Sequence, residues 1–154
     1  MFKFIQNLSF CLLLIIMMFT CKEEKSEQVL KYASGSVKQR IPMLNGKKHG
    51  EILEYYLTGE LKSKASFKDD EQTGKTVYYF KSGNIQEIQY FKDNKLEYGD
   101  TSFYENGSIE KIVEFTNGLK NGYIKKFDST GVMYFNAKYN MDTLIEVKGV
   151  PLQR

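Results

Sequence analysis

Aromatic and glycine residues recur along this chain every 24 residues, and between them polar and apolar residues alternate. The columns of the repeat are Tyr55, Tyr79, Phe103 and Phe127; Gly59, Gly83, Gly107 and Gly131; and Phe67, Phe91, Phe115 and Tyr139. Within residues 61–67 the alternation places Leu61, Ala65 and Phe67 on one side. A period of two predicts β-strands, and after the N-terminal segment no stretch has the period of about 3.6 that indicates a helix.

Two sets of turn signals separate the predicted strands. One set contains the repeat glycines, and the other consists of Asn45-Gly46, Asp69-Asp70, Asp93-Asn94 and Asn117-Gly118. Such residues accept the positive φ of tight hairpins, and their spacing of about 11 to 13 residues leaves room for strands only. We therefore predict an all-β fold, an elongated antiparallel meander of stacked β-hairpin repeats with about eight strands and one more at each flank.

The pattern divides the chain into four parts. Residues 1–20 read as a signal helix, 21–31 as a polar tether, 32–141 as the repeat array, and 142–154 as a C-terminal cap or tail with one candidate strand at 144–147. A further glycine column within the strands, Gly50, Gly74 and Gly122, is interrupted by Tyr98. Because glycine inside a strand often marks a bulge, the interruption predicts a local irregularity at Tyr98.

The N-terminal segment is an apolar run, residues 8–19, that ends at Thr20-Cys21. A transmembrane helix needs about 20 apolar residues, so the run better fits the hydrophobic region of a secretory signal. It resembles a bacterial lipoprotein signal, which implies cleavage before Cys21, a lipid on its thiol and anchoring to the outer membrane of the cell envelope. Surface export is one extension of this interpretation. A retained helical anchor and a plain secretory signal are the alternatives.

Composition narrows the classes of partner. The chain has 22 basic and 19 acidic residues, and arginine occurs only at Arg40 and Arg154. A nearly balanced charge argues against a nucleic-acid-binding footprint, and lysine suits solvated surfaces and sheet edges. Cys11 lies within the signal, so a chain that starts at Cys21 has no internal disulfide.

Residues that could carry chemistry are few, and we predict no catalytic residue, no cofactor and no metal. His49 is the one histidine and lacks a partner for a triad or a histidine-rich metal site. The acidic run Asp69-Asp70-Glu71 could supply oxygen ligands for Ca²⁺, but it fits a solvated turn better. A pair of carboxylates on neighbouring strands remains an alternative, although no pair stands out in the sequence.

The pattern Gly-x4-Tyr-Tyr-x2-Gly-x-Leu-x5-Phe, seen from Gly50 to Phe67, resembles the MORN-repeat variant over about 110 residues. Proteins with such arrays are often grouped with the antitoxin-like YwqK family. The resemblance implies a row of β-hairpins whose repeat residues are structural. It also favours a non-enzymatic interaction module with a protein or glycan partner. An envelope hydrolase that uses sheet carboxylates and a purely structural envelope lipoprotein are the alternatives.

Four tyrosines outside the columns could contact a partner or fill the other face of the sheet: Tyr78, Tyr90, Tyr123 and Tyr134.

Overall fold

The computed structural model describes residues 22–148, and every regular element in this range is a β-strand. The strands are β1 (Lys25–Lys31), β2 (Val37–Leu44), β3 (Lys47–Lys48), β4 (Gly50–Tyr55), β5 (Leu61–Lys68), β6 (Glu71–Tyr79), β7 (Ile85–Lys92), β8 (Lys95–Phe103), β9 (Ile109–Thr116), β10 (Leu119–Phe127), β11 (Met133–Asn140) and β12 (Thr143–Lys148). The predicted signal helix and Cys21 lie outside the described residues. Within residues 22–148 no helix is long and apolar enough to cross a membrane.

All strands belong to one antiparallel sheet in which each strand pairs with the next along the chain, except that short β3 pairs only with β2. This arrangement confirms the predicted all-β meander of hairpins. The sheet has 12 strands, more than the sequence predicted. One reason is that β1 occupies most of the segment predicted to be a tether. All seven of its residues are exposed, and an edge strand with no buried side carries no apolar alternation.

The two predicted sets of turns have different geometries. At the repeat glycines, the N–H of Gly59 donates to the carbonyl of Tyr56 (3.0 Å) and the N–H of Tyr56 donates to the carbonyl of Glu60 (2.9 Å). This is a type I turn closed by a glycine bulge. The Asn45-Gly46 set has positive φ at both central residues, as type I′ turns require. A fifth such turn, Met141-Asp142, was not predicted because methionine is not a turn signal.

A bulge of the same size recurs in three of the hairpins that close with a type I′ turn. Between β5 and β6, Ala65 pairs with Thr76 and Phe67 pairs with Gln72, so three residues of β6 lie opposite Ser66. The same count applies between β7 and β8 and between β9 and β10. The irregularity predicted at Tyr98 is therefore a bulge common to several units. What distinguishes Tyr98 is a tyrosine at φ 67°, where the other units have glycine.

The core of the sheet is a row of side chains that pair in succession from strand to strand. We call it the central row, and the side of the sheet that carries it face A; the other side is face B. The central row consists of Ile52, Ala65, Thr76, Gln89, Asp100, Val113, Ile124 and Ala137. Most of the buried residues within 22–148 lie on face A, and Val77 is the buried residue on face B. The sheet therefore buries one stripe beneath its own neighbouring side chains.

Tyrosine hydroxyls connect successive repeats on the glycine-turn side. The hydroxyl of Tyr32 donates to the carbonyl of Tyr55 (2.7 Å), and the hydroxyl of Tyr56 donates to the carbonyl of Tyr79 (2.7 Å). The hydroxyl of Tyr104 donates likewise to the carbonyl of Phe127 (2.8 Å). Each bond joins residues 23 apart, so each repeat is stabilised by the next, as in other repeat proteins.

Candidate functional site

The predicted repeat residues occupy equivalent places in successive units. Tyr55, Tyr79, Phe103 and Phe127 end β4, β6, β8 and β10, and Phe67, Phe91, Phe115 and Tyr139 lie next to the last residue of β5, β7, β9 and β11. All eight rings are partly buried. The four turn glycines Gly59, Gly83, Gly107 and Gly131 have φ between 84° and 104°. Their recurrence at equivalent places in every unit fits the predicted structural role, so we sought a functional site among residues that differ between repeats.

The acidic turns also have a structural role. The Asp70 carboxylate accepts a hydrogen bond from the backbone N–H of Lys48 (2.8 Å). Asn94 and Asp142 accept equivalent bonds from Gln72 and Lys120. His49 lies between β3 and β4, and its Nδ1 is 3.4 Å from Asp69 Oδ1. Among the described residues, no group of three or more ligand side chains is placed to hold a metal ion.

The central row changes chemistry along the array. One set of period-equivalent positions holds Ile52, Thr76, Asp100 and Ile124, and the other holds Ala65, Gln89, Val113 and Ala137. Both ends of the row are apolar, whereas its middle holds Thr76, Gln89 and Asp100. Asp100 is only 7% exposed although its equivalents are isoleucine or threonine. A buried carboxylate at a position the fold fills with an alkyl side chain is a departure typical of functional sites.

Five side chains of β6 to β9 gather on face A around this departure. We call them the central polar cluster: Tyr78, Glu87, Gln89, Asp100 and Lys111. The Gln89 Nε2 donates to Glu87 Oε1 (3.1 Å), and the Lys111 Nζ lies 3.9 Å from Asp100 Oδ2. The buried Asp100 Oδ1 has no hydrogen-bond partner within the described residues 22–148.

Burial and the neighbouring carboxylate decide the protonation of the cluster. Burial raises the pKa of Glu87, and a hydrogen bond with Asp100 and the charge of Asp100 raise it further, whereas Lys111 and Gln89 oppose the shift. Burial also raises the pKa of Tyr78, with added contributions from nearby carboxylates. The Glu87 carboxyl beside Asp100 therefore keeps its proton to a higher pH than an ordinary glutamate does. Such a pair can act as an acid and a base, or it can receive a cation in place of the proton.

A third carboxylate, that of Glu54 beside the cluster, already has partners. The Glu54 Oε1 accepts from Lys62 Nζ (2.8 Å), and the Oε2 lies 3.5 Å from the Ser63 hydroxyl. The register shifts between Glu54 and Tyr55, so Lys62 and Ser63 both reach the same carboxylate. Strict alternation from Leu61 onwards, which the sequence predicted, is therefore interrupted at Lys62.

Sequence reasoning did not identify Glu87 or Asp100, although a signal was present. When the units are aligned by their period, the aspartate falls in a column that otherwise contains isoleucine and threonine. The period-two pattern alone could not reveal this, because a carboxylate in a strand is usually on the solvated side. Only the register of β7 and β8 places the two carboxyls on one face.

Tyrosines outside the columns divide between the two faces. Tyr78 belongs to the central polar cluster, and Tyr123 lies between two lysine ammonium groups on face B. Tyr134 is half-exposed, and Tyr98 is 72% exposed. Gly74, a period equivalent of Tyr98, has nearly the same φ (69°), and a Cβ added there would meet only the Cβ of Ser66, at 3.9 Å.

Comparison with known proteins supports the repeat assignment. A family model described as MORN repeat variant matches residues 48–69, 72–93 and 101–117. No curated protein matches the chain. One period after the second match would begin at residue 96, but the third match begins at 101 and leaves out Tyr98 and Asp100. The matched repeats suggest a repeat-based binding module, and the omitted stretch contains the residues that depart from the pattern.

Proposed function

We propose that the chain is a membrane-anchored, non-enzymatic binding module that engages its partner through the central polar cluster. The observation that carries this proposal is Asp100, a buried carboxylate where equivalent repeats have isoleucine or threonine. Burying a charge destabilises a fold unless it is paired, so the fold itself gives no reason for this residue. Binding gives one.

The shape of the array supports binding over a long surface. Stacked repeats form extended surfaces, and each face of this sheet offers partly buried rings beside charged side chains. The partner is a protein or a glycan of the cell envelope. Neutralisation of a toxin-like protein, as an antitoxin or immunity protein would do, is one form of this function.

The anchor is a lipid on Cys21, which lies outside the described residues. Only residues 22–24 separate Cys21 from β1, a span of about 10 Å when extended. The array would therefore lie close to the outer membrane surface. Stable anchoring needs about two acyl chains, which a diacylglycerol thioether supplies. Labelling cells with a fatty-acid probe tests the anchor: the wild type should be labelled and Cys21→Ser should not, and equal labelling of both would reject it.

A capture experiment tests the binding site. We would compare the wild type with a variant in which Glu87→Ser, Gln89→Ala and Asp100→Ile restore residues found at equivalent repeat positions. Both proteins are expressed in native cells, crosslinked and purified, and a partner should be retained by the wild type alone. Glu51→Gln, an exposed change on face B, is the matched control. Equal capture by the wild type and the restored variant would count against the cluster.

A second candidate function is an envelope hydrolase, favoured by the raised pKa of Glu87, whose carboxyl lies beside that of Asp100. One protonated and one charged carboxyl are the groups used in glycoside hydrolysis. Incubation of the protein with purified envelope glycans would reveal turnover. Turnover that Glu87→Gln abolishes would establish the enzyme, and saturable binding without turnover would support the module.

A further inference from the structure

We propose that the central polar cluster binds a cationic side chain, the ammonium or guanidinium group of a protein partner, between Glu87 and Asp100. This inference rests on the proposed binding function and names the chemistry of the partner. It follows from the charges around the two carboxyls, from the unpartnered oxygen of Asp100, and from the accessibility of Glu87.

The charges around Glu87 leave one carboxyl group in excess. From β4 and β5, Glu54 and Lys62 form a close pair at 2.8 Å and satisfy each other. From β9, Lys111 reaches Asp100 only at 3.9 Å, longer than a hydrogen bond. From β6 the neighbouring titratable group is the Tyr78 hydroxyl, which is neutral at pH 7. One distant ammonium thus faces two carboxyls, and the local charge favours a second cation.

The Asp100 carboxylate provides an independent sign of a missing donor. It is more than nine-tenths buried, and its Oδ1 accepts no hydrogen bond from any residue of the described range 22–148. A hydrogen bond from the protonated Glu87 carboxyl to Asp100 is one cause of the raised pKa of Glu87. A guanidinium carries five N–H donors in a planar fork and can bridge two carboxyls, so it can replace that proton.

The site is open to a ligand on one side. Glu87 is partly exposed, whereas its neighbour Asp100, in the central row, is buried. Tyr78 pairs directly with Glu87 across β6 and β7, which places an aromatic ring beside the entry. An aromatic ring attracts a nearby cation through the negative face of its π-system. A cationic side chain would therefore meet Glu87 first and complete the pair with Asp100.

Binding of a cation should release a proton, and this linkage makes the proposal testable. Full-length protein in non-ionic detergent is titrated with the capped peptide Gly-Arg-Gly, followed by NMR. The matched control peptide contains citrulline, which has the shape of arginine without its charge. We expect saturable shifts at Glu87, Asp100 and Lys111 with the arginine peptide only. Affinity should rise with pH, by up to about tenfold per unit while Glu87 titrates above 4.5.

Variants separate binding from folding. Glu87→Gln should weaken binding and remove its pH dependence, and Glu51→Gln on face B should change neither. Glu87→Gln should also flatten the pH dependence of stability. The raised pKa of Glu87 contributes stability at low pH, which is lost as pH rises through the folded-state value. The pH dependence of stability thus shows that the variant folds and that the Glu87 carboxyl interacts with Asp100 in the wild type.

Other outcomes would overturn the proposal. Equal shifts with both peptides, shifts unaffected by Glu87→Gln, or shifts produced at the same residues by the neutral sugar chitohexaose would each reject a cation site. If the peptides fail while Asp100→Ile still removes a captured partner, the cluster binds a partner of different chemistry. If capture is also unaffected, the proposed function itself fails.

Discussion

The two ends of the central row and its middle are built on the same backbone but have opposite chemistry. At the ends, Ile52 is 5% exposed and Ala137 is 1% exposed. In the middle, Thr76 is 1% exposed and Asp100 is 7% exposed. The pairing is antiparallel throughout, and similar bulges flank both regions. The difference shows that the repeat fold tolerates polar residues at buried positions, so the polar middle is a feature of this sequence rather than of the architecture.

The apolar ends of the central row stabilise the fold, whereas its polar middle stabilises the fold less. Apolar side chains in the row stabilise the sheet by leaving water, whereas a buried carboxylate such as that of Asp100 stabilises little or nothing net even when a cation pairs with it. A region that is both destabilising and reachable from solvent is where binding residues are expected. Substitutions that exchange the two chemistries test this comparison.

The largest effect is expected at an end of the row. Ile52→Ala should lower the free energy of unfolding by about 2–5 kcal/mol, because a buried side chain is truncated in a single-layer sheet that has few ways to fill the gap. The matched change Ile85→Ala removes the same atoms from a residue that is 40% exposed and should cost clearly less. Urea titrations of both variants measure the contrast. Equal losses would mean that the row is not the core.

A rise in the free energy of unfolding is expected for a substitution in the middle of the central row. Asp100→Ile should raise the free energy of unfolding by about 1–4 kcal/mol, because it replaces a buried carboxylate with the alkyl side chain found at Ile52 and Ile124. Lys111 is partly exposed and can turn to solvent. Asp100→Asn keeps the shape and serves as the control. Destabilisation by isoleucine in thermal or urea unfolding would show that the carboxylate supports the fold, and would weaken the functional interpretation.

A smaller gain in the free energy of unfolding is expected at Phe80, where the series of tyrosine hydroxyls that connects successive repeats is interrupted. Phe80 occupies the column of Tyr32, Tyr56 and Tyr104 but has no hydroxyl. Phe80→Tyr should place a hydroxyl near the carbonyl of Phe103 and add about 0.5–1.5 kcal/mol. The reverse change, Tyr56→Phe, should remove a similar amount. If Phe80→Tyr has no effect while Tyr56→Phe destabilises, the middle of the array differs from its ends in geometry as well as in chemistry.

The smallest effect is expected at the strained tyrosine. A left-handed conformation costs a tyrosine roughly 1–2 kcal/mol, and Tyr98→Gly removes this cost because glycine adopts the conformation freely. Glycine in a strand in turn loses about 0.5–1 kcal/mol through its larger entropy in the unfolded chain. Because Tyr98 is largely exposed, little packing is lost, and a gain of about 0.5–1 kcal/mol remains. Gly74→Ala, at φ 69° with no close contact, should lose stability and is the control. A loss on Tyr98→Gly would show that the ring makes a stabilising contact.

Much of the fold could be predicted from particular residues. Asn117-Gly118 predicted a type I′ turn because asparagine and glycine accept positive φ, and both residues have it. Gly107 predicted a hairpin for the same reason. Two features could not be predicted. The strand β1 has no apolar side, and the partner of Asp100 depends on a bulge that shifts the register between Gln89 and Phe91.

The sequence alone determined that this chain is an array of hairpins, because turn chemistry and strand alternation act between residues close in the chain. The sequence also contained the departure at Asp100, as a residue out of step with its period. Only the tertiary structure decided that Asp100 and Glu87 share a face, with Lys111 beside them. The reason is that a shift of one residue in a strand moves every side chain to the other face, and that register is set by pairing across the sheet.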